Sequence, residues 1–155
     1  MILNFANKYG YYGTTLLKCV NFIYLLKTPK FLLVFVLFAF FVNPLVNLAL
    51  KNIIREPRPH RPIISLSSGE QTKIEQHSYG MPSSSSHTAS FIAVFSWLIT
   101  QNTYLLFFNL FTTAIIVFRK YKTNNHTVKQ LFVGLLIGAC MAFSAVFITK
   151  EKFSK

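Results

Sequence analysis

The residues with chemistry to offer are two histidines and a scatter of cations. The stretch "FRKYKTNNHTVKQ", Phe118 to Gln130, places Arg119, Lys120 and Lys122 before His126, with Gln130 one helical turn after it. Gln130 can accept a hydrogen bond from one ring nitrogen of His126 and leave the lone pair of the other free. A neutral imidazole held this way among cations is a competent nucleophile toward phosphorus. The positive charge attracts an anionic ester and holds down the ring's pKa. "NHT" at Asn125 also fits a glycosylation acceptor, but a glycan there would obstruct the site, so that reading is discounted.

A second histidine, His87, ends the run "YGMPSSSSH". A serine run on its own reads as a flexible loop. Small residues at the start of a helix, however, let backbone N–H groups and the helix N-terminus point at an oxyanion, with serine hydroxyls as further donors. The third patch is "KNIIREPRP", Lys51 to Pro59. Asn43, Asn47, Lys51 and Arg55 recur every four residues and so share one helix face. Pro57 and Pro59 disfavour helix at Glu56 and Arg58, so the chain should turn just past Lys51 and aim Lys51 and Arg58 at one point. Any one of these cations alone reads as a snorkelling residue at the end of a membrane span; the doubled proline and the spacing favour an anion pocket.

Those patches need elements to hold them. Over 155 residues the chain is 52% hydrophobic and 16% aromatic with positive mean hydropathy, which indicates a polytopic all-α membrane helix bundle of four to five spans. Expected spans are 13–27, 31–50, 88–100, 103–118 and 130–149, with 51–87 as a loop and 1–155 as a single domain. The N-terminal stretch, interrupted by Lys18, is a poor signal peptide and a weak first span. Between 88 and 118 the apolar run is too long for one ordinary span and breaks at "TQNT", Thr100 to Thr103. Gly134 and Gly138 have the spacing that lets helices approach closely in lipid. If the spans alternate in direction, Lys51, His87, Lys120 and His126 all emerge on one face.

A formal charge of +12 would suggest nucleic acid on a soluble chain, but the apolar runs leave no separate domain for such a surface, so phosphorylated lipid is the expected partner. The acids are only Glu56, Glu70, Glu75 and Glu151, which disfavours carboxylate-rich metal sites and paired-acid mechanisms. No cofactor or metal is expected. Cys19 and Cys140 lie in apolar runs and read as packing residues rather than a disulfide.

Taken in chain order, from Lys51 through the serine run to Gln130, the three patches resemble the signature motifs of the type 2 phosphatidic acid phosphatase superfamily. Those motifs are Lys, six residues, Arg-Pro; Pro-Ser-Gly/Ser-His; and Arg, five residues, His, three residues, Asp or Gln. "LKNIIREPRP", "YGMPSS" and "HTVKQ" are most similar to the dolichyl-diphosphatase branch, in which Gln stands at the place of Gln130. The resemblance covers about residues 40 to 140. It implies that His126 is the nucleophile, that His87 protonates the leaving group, and that Lys51, Arg58 and the third-motif cation bind phosphate.

Two departures stand out. "PSSSSH" is two residues longer than "PSSH", so Pro82 loses its usual offset from His87 unless the loop bulges; phosphate contacts are therefore assigned to Ser85 and Ser86. Counting back from His126 puts Lys120 at the family's Arg position and Arg119 one residue earlier. Lys keeps the charge but lacks the bidentate fork, so Lys120 or Arg119 fills the role.

The expected activity is metal-independent hydrolysis of dolichyl diphosphate through a phosphohistidine, in recycling of the lipid carrier of N-glycosylation. Alternatives are phosphatidate or another polyprenyl diphosphate as substrate, or an inactive lipid-binding or scaffold protein. Outside the motifs, Lys27, Lys30, Lys150, Lys152 and Lys155 collect on the opposite face. The positive-inside rule then places the tail in the cytosol and the active site in the lumen, as expected in the endoplasmic reticulum.

Overall fold

The computed structural model describes residues 2–59 and 79–153, so most of the loop expected at 51–87 lies outside the described residues. Among the described residues, five helical rods make up the bundle: α1 (Ile2–Leu25), a long rod of α2 (Pro29–Leu37), a π-helical turn (Phe38–Val42) and α3 (Asn43–Ile54), then α4 (Ser84–Thr100), α5 (Thr103–Lys122) and α6 (Val128–Phe153). The all-α membrane architecture expected from composition is the one observed. Pro29–Ile54, Thr103–Lys122 and Val128–Glu151 are each long and apolar enough to cross a membrane. The helix expected at 13–27 runs from Ile2 and ends at Leu25, and the one containing 31–50 runs from Pro29 to Ile54.

At 26 residues the Pro29–Ile54 rod is about 39 Å long, more than a hydrocarbon core of about 30 Å, so it must tilt or protrude. Its π-helical turn has a local cause. Pro44 has no N–H for the Phe40 carbonyl, and its ring would clash there in a regular α-helix. The Asn43 N–H instead reaches back five residues to the Phe38 carbonyl, and the widened turn makes room. Past that turn Asn43, Asn47 and Lys51 all face inward and are buried. Arg55 leaves the stripe. It caps α3 in the left-handed conformation, φ 53°, and is exposed.

α4 is the central helix, with nine residues of its length buried, whereas the other rods keep large apolar side chains such as Leu33, Leu45, Phe107 and Phe147 facing outward. Phe35, Phe38, Phe91 and Phe95 form a connected aromatic cluster between α2 and α4, with Phe91 and Phe95 ring centroids 5.4 Å apart. Association in lipid depends on dispersion and close approach rather than on the hydrophobic effect. Two glycines on α6 supply that approach. A Cβ at Gly138 would sit 2.1 Å from the His87 carbonyl oxygen, and one at Gly134 would sit 2.7 Å from that of Ser83. α6 therefore lies backbone to backbone against the start of α4.

One buried polar pair links two helices inside the bundle. Asn21 on α1 and Asn109 on α5 exchange two amide hydrogen bonds, of 2.9 and 3.0 Å. Lys18 meets the face of Phe40 at 4.3 Å. Asn21 thus avoids the cost of an unpaired polar group in lipid. Cys19 and Cys140 are free thiols.

Candidate active site

The ends of α3 and α5 and the starts of α4 and α6 meet at one end of the bundle, and Tyr79 to Ser83 are strapped between them. Lys51 Nζ donates to the Tyr79 carbonyl at 2.7 Å. The Gly80 N–H donates to the Glu56 carbonyl at 2.7 Å, and the Ser83 N–H to the Gln130 carbonyl at 3.1 Å. Asn47 Nδ2 donates to the Pro82 carbonyl at 3.4 Å, and Ser84 Oγ donates to Asn47 Oδ1 in a short contact. The three motifs, far apart in sequence, are thereby stitched into one structure.

His126 sits in the turn between α5 and α6 and is 4% exposed. The turn closes through the Asn125 N–H to the Lys120 carbonyl, 3.1 Å, with Asn124 at φ 50°. His126 Nδ1 lies 2.9 Å from the Gly80 carbonyl oxygen and 3.3 Å from Gln130 Oε1. A backbone carbonyl can only accept, so Nδ1 carries the proton and donates; the lone pair of the neutral ring is on Nε2.

The orientation of the Gln130 amide follows in the same way. Its Nε2 donates to Glu56 Oε1 and to the Pro57 carbonyl, both at 2.9 Å, while its Oε1 accepts from the Thr127 N–H at 3.2 Å. Turning the amide over would oppose oxygen to oxygen and N–H to N–H at every contact.

Burial pushes the His126 imidazole down to about 3, and the charges of Arg58, Lys120 and Lys51 push in the same direction, against the opposing effect of the Gly80 hydrogen bond. Three of the expected phosphate-binding cations are therefore close enough to act on this ring. Arg119 is placed elsewhere. Its guanidinium lies over the Tyr11 ring at 5.1 Å, and its stem packs against Gly10 of α1. Of the two candidates for the third-motif cation, Lys120 is the one brought to His126.

The serine run does not bulge. Ser83 caps α4, and the helix continues from Ser84 without interruption, so the two extra residues are absorbed as helix. Counting from Pro82, the offset of the shorter motif falls on Ser85, which is partly exposed. His87 is two positions further on, about 200° around the helix at 100° per residue. It is fully buried. Its Nδ1 lies 3.4 Å from Asn47 Nδ2, and its Nε2 lies 3.1 Å from Met141 Sδ.

Asn47 Nδ2 is a donor, so His87 Nδ1 accepts and its proton is on Nε2, toward Met141. Ser86 is also turned inward: Oγ donates to Ser83 Oγ at 3.2 Å, and the side chain packs where Gly134 leaves room. Of the two assigned serines, only Ser85 keeps an outward position at the start of α4, where backbone N–H groups and the helix dipole favour an anion.

Gly80, Glu56 and Asn47 carry contacts that the sequence reading assigned to no role. Glu56 could have been suspected, as the acid inside the first motif of a chain with four acids. Asn47 was visible as part of a polar stripe but not as a partner of the second motif. Gly80 acts through its backbone and leaves no side-chain signal.

A polar site of buried imidazole, clustered cations and a helix N-terminus, at one end of a membrane helix bundle, defines a class of membrane proteins built to handle phosphoryl groups. The chain belongs to the PAP2 superfamily, whose pattern matches residues 32–154. It is also similar to dolichyldiphosphatase 1 of Mus musculus, 32% identical over 126 residues that cover 71% of this chain and 50% of the mouse protein. The chain thus spans about half the length of that relative. No solved structure matches it.

Proposed function

We propose that the chain is a single-domain lipid diphosphate phosphatase that cleaves the terminal phosphate of dolichyl diphosphate. The observation that carries this reading is the state of His126. Its Nδ1 proton is held by Gly80 and Gln130, and its Nε2 lone pair is free among the charges of Lys51, Arg58 and Lys120.

In the first step Nε2 forms a bond to the terminal phosphorus as the bond from phosphorus to the bridging oxygen breaks. Lipid monophosphate departs and takes a proton from His87. In the second step water forms a new P–O bond, the N–P bond breaks, and the proton of that water passes to His87. Lys51, Arg58, Lys120, Ser85 and the first N–H groups of α4 stabilise the charge on the equatorial oxygens. The role of His87 requires the ring to enter as the imidazolium, with a second proton on Nδ1 that displaces the Asn47 contact, and its Nε2–H to swing away from Met141 toward the pocket. Having given up that proton, the neutral ring can take one from the attacking water. Arg119 and Ser86 support from the second rank, by packing against α1 and α6. No residue in this scheme calls for a metal or cofactor.

The similarity to a dolichyldiphosphatase supports the substrate, a place in the endoplasmic reticulum and a part in recycling the carrier of N-glycosylation, and the lysines outside the motifs favour a site that faces the lumen. The test is phosphate release by the purified chain, with dolichyl diphosphate, a shorter polyprenyl diphosphate and phosphatidate compared side by side and His126→Ala as the blank. Equal rates on phosphatidate would overturn the substrate assignment. A second reading, a lipid-binding relative without turnover, is favoured by the contact of His87 with Met141. Chelator-insensitive release that vanishes in His126→Ala excludes it.

A further inference from the structure

Gln130 faces the His126 imidazole with an amide oxygen, so the side chain that touches this ring there is neutral. A carboxylate is present one step further out. Glu56 Oε1 accepts from Gln130 Nε2 at 2.9 Å, and the backbone carbonyl of the same Glu56 accepts from the Gly80 N–H at 2.7 Å. Gln130 Oε1 and the Gly80 carbonyl are the two groups that face His126 Nδ1. Both supports of the imidazole therefore run back to one residue.

The local chain explains how. Arg55 takes the left-handed conformation at the end of α3 and reverses the backbone, and Pro57 keeps Glu56 extended. Its carbonyl then faces Gly80 while its side chain reaches across to α6. At Gly80 a Cβ would lie 2.6 Å from the Gln130 amide, so only glycine lets the two supports lie side by side.

From this geometry we infer that Glu56 is a positioning residue for the His126 nucleophile, acting through the Gln130 amide. The carboxylate and the Pro57 carbonyl hold the Gln130 N–H₂ outward, which leaves the amide oxygen turned toward His126. With Nδ1 facing only acceptors, the proton stays there and the lone pair stays on Nε2. Work usually done by one carboxylate touching the imidazole is thereby divided between an amide that touches it and a carboxylate that orients the amide. Lys129 meets the other oxygen of Glu56 at 3.3 Å but is 71% exposed, a surface pair with little influence.

This inference rests on the phosphatase reading, and a mutant cycle separates the two. The full chain, purified in detergent, is assayed on dolichyl diphosphate as wild type, Glu56→Ala, Glu56→Gln, Gln130→Ala, the Glu56→Ala/Gln130→Ala double variant and Lys129→Ala. Glu56→Ala should lower kcat about tenfold with KM within about twofold. Glu56→Gln, whose amide oxygen can still accept from Gln130, should recover most of the loss. The double variant should be no slower than Gln130→Ala, and Lys129→Ala should match wild type.

If Glu56→Ala yields no folded protein, Glu56→Asp takes its place, since it withdraws the acceptor by one methylene and should likewise be neutral in the Gln130→Ala background. A wild-type rate in Glu56→Ala, losses that multiply in the double variant, no recovery in Glu56→Gln, or an equal loss in Lys129→Ala each overturn the inference while an active wild type leaves the phosphatase reading in place. An inactive wild type overturns both.

Discussion

His126 and His87 are both shut away from solvent, but they are held in different ways. His126 lies in a turn, where the backbone is free to aim a side chain. Its orientation is set by contacts with other motifs, and three cations surround it. His87 lies one turn into a regular helix, where direction is fixed by helix phase. Counted from Pro82, the two extra serines carry it round to the α6 side, and both ring nitrogens are occupied there. An insertion in a loop costs a chain little, whereas an insertion absorbed by a helix re-aims every side chain after it.

The contrast makes predictions of graded size. His126→Ala should abolish phosphate release, by at least about 10⁴-fold, since the proposed covalent bond to phosphorus is made at His126. His87→Ala should cost about 10²-fold, the lower range for a proton-transfer group. If phase is the cause of the difference, Ser85→His combined with His87→Ala should recover turnover relative to His87→Ala alone, and failure to do so would show that the pocket lies elsewhere.

The cations divide in the same manner. Lys120→Ala should slow turnover by about 10² to 10³, as expected for losing one donor to the transition state. Arg119→Ala, which removes a side chain stacked on Tyr11, should leave kcat within about tenfold and act on thermal stability instead.

The pH profile sharpens the comparison further. The reactive imidazole is the neutral one, so the rate falls as pH drops through the pKa of folded His126, near 3 rather than the ordinary 6.5. Lys120→Met removes a charge that pushes this value down and should move the acid limb to higher pH. The same shift bears on stability. Between about 6.5 and 3 the unfolded chain binds the proton that the folded chain refuses, so His126 lowers stability progressively as pH falls through that window. The smallest effect is expected far from the site. Asn21→Ala leaves Asn109 without its partner and should cost about 0.5 to 2 kcal/mol in detergent unfolding, with kcat unchanged.

Much of this arrangement was legible in the sequence because it rests on periodicity. A four-residue stripe of Asn43, Asn47 and Lys51 marks a helix face, the Gln130 spacing places an amide one turn from His126, and the apolar lengths define a membrane bundle. What the sequence could not give was direction. Lys120 and Arg119 are adjacent cations, and only packing of α5 on α1 separates them. Arg55 continues the stripe by spacing but leaves it by taking the left-handed conformation. "PSSSSH" does not say whether the extra serines bulge or wind into helix, and that choice decides where His87 points.

The central claim is that His126 Nε2 receives the phosphoryl group. Rapid mixing with dolichyl diphosphate labelled in its terminal phosphate, an alkaline quench that preserves phosphohistidine, and peptide mapping would test it directly. The account predicts label on the peptide carrying His126, attached at Nε2. Label on His87, or turnover by a chain that never becomes labelled, would contradict it.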